Sequence, residues 1–201
     1  MEEEVDELNN IKLILLGESG VGKTSLINVS VDKGFFNVVN SSLSCSFVQK
    51  KFQKGDKIYA IDIWDTAGQE QFRALTKLFI KNTKIVIFVY AINNKLSFNE
   101  LSYWVKTIKE NLGNEVILGL IGNKSDLYME QEINENEAIQ YAKDIGAKFA
   151  TVSAKTNPKG FITIIENLLD QYLESKGVNS TDKSFEIKQE KHKKRKKKCC
   201  Q

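Results

Sequence analysis

Residues 11–31 read IKLILLGESGVGKTSLINVSV, and this stretch decides the fold. Ile11–Leu16 is a short apolar run that stops at Gly17, which suits a buried strand. Gly17–Gly22 is a loop with three glycines. Lys23–Val31 has helical spacing, with Leu26, Ile27 and Ser30 on one face. Gly17-Glu18-Ser19-Gly20-Val21-Gly22-Lys23-Thr24 thus fits GxxxxGK(S/T) between a strand and a helix. Glycine lets the backbone wrap a phosphate so that successive N–H groups point inward. The helix N-terminus adds its partial positive charge. The expected phosphate-binding set is Ser19, Gly20, Val21, Gly22, Lys23, Thr24 and Ser25. Lys23 would meet the β- and γ-phosphates, and the Thr24 hydroxyl would ligate Mg²⁺. Alone, the motif indicates a nucleotide and not which one. A Gly-rich turn without ligand is the plain alternative.

Working outward, Asp32–Cys45 is polar and Asn/Ser-rich and reads as a mobile loop. Ser46–Gln53 and Lys57–Trp64 are strand-like runs joined by Lys54-Gly55-Asp56, a hairpin signal. Lys84–Ile92 and Val116–Ile121 are nearly continuous apolar runs, the mark of strands buried on both faces. Leu96–Leu112 is an amphipathic helix, Glu135–Ile145 a second, and Pro158–Leu173 a third, with Lys148–Val152 a short strand. Strands alternating with helices predict a doubly wound α/β fold, mainly parallel with one antiparallel hairpin. Ligands bind such sheets beyond the carboxyl ends of their strands.

Two further motifs fall at such ends. Asn123-Lys124-Ser125-Asp126 follows the run that ends at Gly122. A carboxylate at Asp126 can accept from the N1–H and 2-amino group of guanine, and adenine offers neither donor. Asn123 can tie this loop to the phosphate loop, and the Lys124 stem can cover the base. Ser153-Ala154-Lys155, after the last strand, supplies a backbone N–H for the guanine O6. Asp65-Thr66-Ala67-Gly68-Gln69-Glu70 follows the Lys57–Trp64 strand. Asp65 can hold Mg²⁺ through a water, and Gly68 lets a backbone N–H approach a γ-phosphate. Gln69 can orient the attacking water, the catalytic role, because phosphoryl transfer needs positioning more than a strong base.

Charge divides the chain. The net charge of +3 comes from 29 basic and 26 acidic residues. Residues 191–198, KHKKRKKK, hold seven of the basic ones; the remainder is acidic, 22 against 26, a net of −4. Residues 1–10 are polar and read as a flexible extension. Residues 175–198 cannot bury enough apolar surface to offset ordering entropy and read as a disordered tail. The acidic start reads as no signal peptide, and no apolar run reaches the roughly 18 residues of a spanning helix. Three cysteines are too few for a disulfide scaffold, so a reducing, cytosolic protein is expected. The lone histidine, His192, argues against multi-His metal sites.

Together these motifs resemble the Ras superfamily of small GTPases, and within it the Rab branch. The resemblance covers residues 11–174, expected to be one GTPase domain, and the extreme C-terminus. It implies a P-loop NTPase small G domain: a mainly parallel six-stranded sheet with one antiparallel strand and helices on both faces. It also implies a GTP-binding and GTP-hydrolysing switch for vesicle traffic, with GTP/GDP and Mg²⁺ as ligands. On the family's spacing Phe35 packs on the guanine edge. Ser42 stands where a threonine senses γ-phosphate and Mg²⁺, and Phe47 and Trp64 fall on aromatics that effectors contact. Val39, Ser44, Cys45, Gln71 and Phe79-Ile80 depart from the pattern and leave effector and exchange-factor identity open. Exchange factor, GTPase-activating protein, GDP-dissociation inhibitor and effectors are the implied partners. Cys199 and Cys200 resemble the double-cysteine ending that carries two geranylgeranyl groups. Two chains give stable anchoring, and the basic run adds about 1 kcal/mol per cation near an anionic leaflet. The expected location is the cytoplasmic face of an intracellular membrane, with no nucleic-acid partner. Two alternatives stay open: a guanine-nucleotide module with little hydrolysis, suggested by Ser42–Ser46, and an unprenylated nuclear or nucleic-acid-associated GTPase using the basic tail.

Overall fold

The computed structural model describes residues 10–31, 46–65, 80–113 and 115–177. The apolar runs become six strands: β1 (Asn10–Leu16), β2 (Ser46–Lys54), β3 (Lys57–Asp65), β4 (Ile85–Ala91), β5 (Ile117–Asn123) and β6 (Lys148–Thr151). Between them lie helices α1 (Lys23–Ser30), α2 (Lys95–Asn99), α3 (Leu101–Leu112), α4 (Glu135–Ile145) and α5 (Pro158–Ser175). The strands form one sheet in the order β2-β3-β1-β4-β5-β6. Only β2 runs antiparallel, paired with β3 from Ser46↔Asp65 to Lys54↔Lys57 around Gly55-Asp56. The other four pairings are parallel.

The pleat sends alternate residues of each strand to opposite faces, and both are covered. On one face Leu13, Leu15, Ile63 and Val89 pack against Leu26 of α1 and Phe161, Ile165 and Leu168 of α5. On the other, Ile14, Leu16, Phe88 and Leu120 pack against Phe98 of α2, Trp104 and Ile108 of α3 and Ala138 of α4. Two cores on one sheet fix the strand ends in space, and the loops at those ends inherit that rigidity.

Three local expectations change. The single helix expected over Leu96–Leu112 is two. Asn94 caps α2 by accepting from the Ser97 N–H at 3.0 Å, and Glu100, near-helical at φ −70° and ψ −10°, links α2 to α3. This jog lets Phe98 and Leu101 both reach the core. β5 extends past Ile121 to Asn123 through Gly122. Its glycines mark close approach: a Cβ on Gly119 would lie 2.8 Å from Leu168 Cδ1, and one on Gly122 2.7 Å from the Tyr90 hydroxyl. A 3-10 turn over Ser125–Glu130 follows, which periodicity did not predict.

Phe161 is fully buried where α5 meets the sheet. Phe161→Ala is expected to lower the unfolding free energy by about 3–5 kcal/mol, measured by denaturant titration, because a large cavity opens in a packed core.

Candidate functional site

The chain leaves β1 at Gly17, with φ +151°, and enters α1 at Gly22, with φ +98°. Side chains at either position would collide with neighbours. A Cβ on Gly17 would lie 2.0 Å from the Val89 carbonyl oxygen, and one on Gly22 2.3 Å from Asn123 Nδ2. Val21 is buried, while Ser19 and Gly20 form the exposed tip of the loop. Gly22 offers no side-chain cap, so the first turn of α1 presents backbone N–H groups around Lys23, Thr24 and Ser25. Lys23 is buried, and its Nζ donates to Gly17 O at 2.8 Å and Glu18 O at 2.9 Å. Burial pushes its pKa down to about 8, against the opposing pull of Asp65 and Glu18. A buried cation ringed by backbone dipoles is a site built for anionic oxygen.

Thr24 Oγ1 donates to Asp65 Oδ2 at 2.7 Å. The pair sets a hydroxyl and a carboxylate, 41 residues apart, side by side where α1 begins and β3 ends. Both are hard oxygen donors of the kind Mg²⁺ takes, one or two protein ligands with phosphate and water completing the shell. The donor set therefore fits Mg²⁺. No group of three or more His, Cys, Asp or Glu residues able to hold a metal occurs among the described residues.

The base-side loops close on Asn123, which is buried at the end of β5. Its Nδ2 donates to Val21 O at 2.8 Å, and its Oδ1 accepts from Ala154 N at 3.2 Å. Lys124 then adopts a left-handed conformation (φ 66°, ψ 37°), which turns the chain into the 3-10 segment carrying Asp126. Half-burial lowers the Lys124 pKa, opposed by Asp126. Ser153 is fully buried; its Oγ donates to Asp126 Oδ1 at 2.6 Å and accepts from Lys155 N and Thr156 N. Sequence reasoning assigned the 153–155 segment a backbone contact and missed this one. The Ser153 side chain orients Asp126, and the signal available was a hydroxyl at the end of a strand beside the tetrad.

The structure thus brings together Ser19–Ser25, Asp65, Asn123–Asp126 and Ser153–Lys155. Phe35, Ser42, Gly68, Gln69, Cys199 and Cys200 lie outside the described residues, as do Val39, Ser44, Cys45, Gln71 and Phe79. Beside the site, Phe47 and Trp64 stack at 5.0 Å with their planes 21° apart, and Lys12 Nζ lies 4.3 Å from the Trp64 ring centre. Phe47 remains 53% exposed.

A family model described as Ras family matches residues 12–191. Human "Ras-related protein Rab-21" is 38% identical over 174 residues, covering 87% of this chain and 77% of the relative. The protein of the same name from Bos taurus is likewise 38% identical, over 87% of this chain and 78% of its own length. That from Geodia cydonium is 38% identical over 164 residues, 82% of this chain and 71% of the relative. The chain belongs to the Ras family. Within it, this is a Rab-type small GTPase, a GTP-binding and GTP-hydrolysing switch that regulates vesicle traffic. Such GTPases bind GTP and GDP, generally with Mg²⁺, and work with exchange factors, GTPase-activating proteins and effectors. The relatives point to association with intracellular membranes. Among the described residues no helix is long and apolar enough to cross one.

Asn123→Ala removes two buried hydrogen bonds that join three loops, each costing about 1–3 kcal/mol. The expected outcomes are a lower melting temperature and nucleotide release accelerated by at least about tenfold, read with a fluorescent GDP analogue.

Proposed function

We propose that the switch is worked by five separated segments with distinct roles. The backbone N–H groups of Ser19–Ser25 and the Lys23 ammonium hold the phosphates of GTP. Thr24 and Asp65, the latter through a water, hold Mg²⁺, with Ser42 joining them in the GTP state. Bound there, Mg²⁺ supplies positive charge against the β- and γ-phosphate oxygens. Asp126, oriented by Ser153, accepts the N1–H and 2-amino hydrogens of guanine, while the Lys124 stem and Phe35 cover its faces and the backbone around Ala154 and Lys155 meets its O6. Gly68 brings a backbone N–H to the γ-phosphate, and Gln69 orients the attacking water. With the γ-phosphate present, the segments around Ser42 and Gly68 are held for partners to read; hydrolysis releases them.

The observation that supports this reading is the Asn123 bridge, which couples the phosphate loop to the base loops at 2.8 and 3.2 Å. GTP is expected to displace bound fluorescent GDP from the purified chain, and ATP at a hundredfold excess is not. Asp126→Ala should weaken GTP by at least about a hundredfold, because a site built around a carboxylate loses both base hydrogen bonds. Displacement by ATP as effective as by GTP, or no nucleotide binding, overturns the assignment.

We further infer that Cys199 and Cys200 each carry a geranylgeranyl group, and that residues 191–198 hold the protein against an anionic cytoplasmic leaflet. Seven cations beside two adjacent cysteines support this reading. A tagged full-length chain is expected on an intracellular membrane, and a Cys199→Ser/Cys200→Ser chain in the cytosol. Unmodified cysteines in the intact mass of the cellular protein, or a double variant that stays on membranes, refutes the anchor.

A further inference from the structure

The sheet ends at β6, and the side of β6 away from β5 has no strand beside it among the described residues. Two hydrogen bonds fix which backbone groups point there. Val152 N donates to Gly122 O at 2.9 Å, and Val152 O accepts from Ser125 N at 3.1 Å, so both Val152 groups face β5. Backbone groups alternate along a strand, so Lys148 and Ala150 also face β5, while Phe149 and Thr151 point outward. Ser153 confirms the phase: its carbonyl points outward and accepts from Asn157 N at 2.8 Å. Below that bond, the N–H and C=O groups of Phe149 and Thr151 line an open edge.

This edge opens into a groove of about 500 Å³ between β6 and the first three turns of α5. Ala150, Val152 and Ile164 form its floor. Lys148 and Lys159, both exposed, stand in its walls, with the amides of Asn157 and Asn167. Lys148 Nζ lies 3.0 Å from Asn167 O, which holds it on the α5 side. On the α4 side, Glu135 accepts from Thr151 Oγ1 at 3.1 Å. Among the described residues that line the groove, two are positively charged and none is acidic.

We propose that this edge is a second docking surface, which takes an extended acidic peptide from a partner protein as an added strand. Strand addition draws its affinity from main-chain hydrogen bonds and its specificity from alternate side chains. Here every second side chain of the added strand faces α5, where the two lysines select Glu or Asp. The same lysines set like charge against like when two copies of β6 meet, the device by which natural edge strands avoid pairing with themselves. The surface is separate from the Phe47–Trp64 stack, since β2 and β6 lie at opposite ends of the sheet. A partner seated on β6 leaves the Phe47–Trp64 stack accessible.

The probe is a blocked heptapeptide alternating glutamate and threonine, titrated into isotope-labelled, GDP-bound full-length chain. The expected result is millimolar binding, with amide shift changes centred on Phe149 and Thr151 and little change at Phe47 or Trp64. A lysine–threonine peptide of the same length should not bind. Lys148→Glu with Lys159→Glu, both at exposed positions, should weaken the acidic peptide by at least about tenfold, leave GDP release unchanged and admit the lysine peptide. Shifts elsewhere, equal binding of both peptides, or no shift at millimolar peptide overturns the proposal. So do Phe149 and Thr151 amides that change with protein concentration alone, since that outcome makes a second copy the occupant.

Discussion

The side chain of Asn123 is the constraint on which the nucleotide site depends. It is buried at the end of β5 and bonds at once to the loop after β1 and the loop after β6. Both contacts need a donor and an acceptor on one rigid planar group, which an amide supplies and a carboxylate does not. Gly22 follows from it, because a Cβ there would displace the amide. The strand ends are fixed by two apolar cores, so the amide spans a gap whose width the sheet sets. The site therefore owes its geometry to burial far from the ligand and its coherence to a few polar atoms near it.

Charge and burial are arranged around that bridge in a graded way. Lys23 lies deep, and its ammonium is held by two backbone carbonyls, with the charges of Asp65 and Glu18 acting on it. Thr24 and Asp65 form a polar pair beside it. Asp126 is turned by Ser153, which is itself pinned by two N–H donors. Each group that would meet a ligand has a second group that settles its direction, and this lowers the ordering cost of binding.

Much of this was legible in the sequence. The strand–loop–helix of residues 11–31 carries both hydrophobic period and turn chemistry, and these agree with the fold. The Asn123 tie was readable because an amide at a strand end has few other uses. What sequence missed is set by tertiary contacts. Gly119 lies inside the run read as a buried strand and Gly122 just past it, and nothing in that run shows that Leu168 and Tyr90 come too close there for any side chain. The jog at Glu100 leaves the apolar period of α2 and α3 unbroken, so periodicity could not show it. The only sign of the Ser153 bonds was a hydroxyl at the end of a strand beside the tetrad, and a serine there fits many turns. These are tertiary facts written at single positions, where periodicity has no purchase.

The β2–β3 hairpin has a consequence for how partners read this protein. Nine residue pairs join its strands, Lys50 Nζ reaches Ser30 O at 2.6 Å, and Lys54 Nζ lies 2.8 Å from Asp170 of α5. The first is a part-buried bond to a backbone carbonyl and the second a half-buried ion pair, and together they tie the hairpin to both α1 and α5. Phe47 and Trp64 ride on this support, and in the chain they fall between Ser42 and Gly68, the residues proposed to meet the γ-phosphate. In the proposed cycle the segments around Ser42 and Gly68 act as a clock, and the aromatic stack, set on paired strands, serves as the address beside them. A partner that contacts both checks identity and timing with separate parts of one surface, so either can change in evolution without rewriting the other.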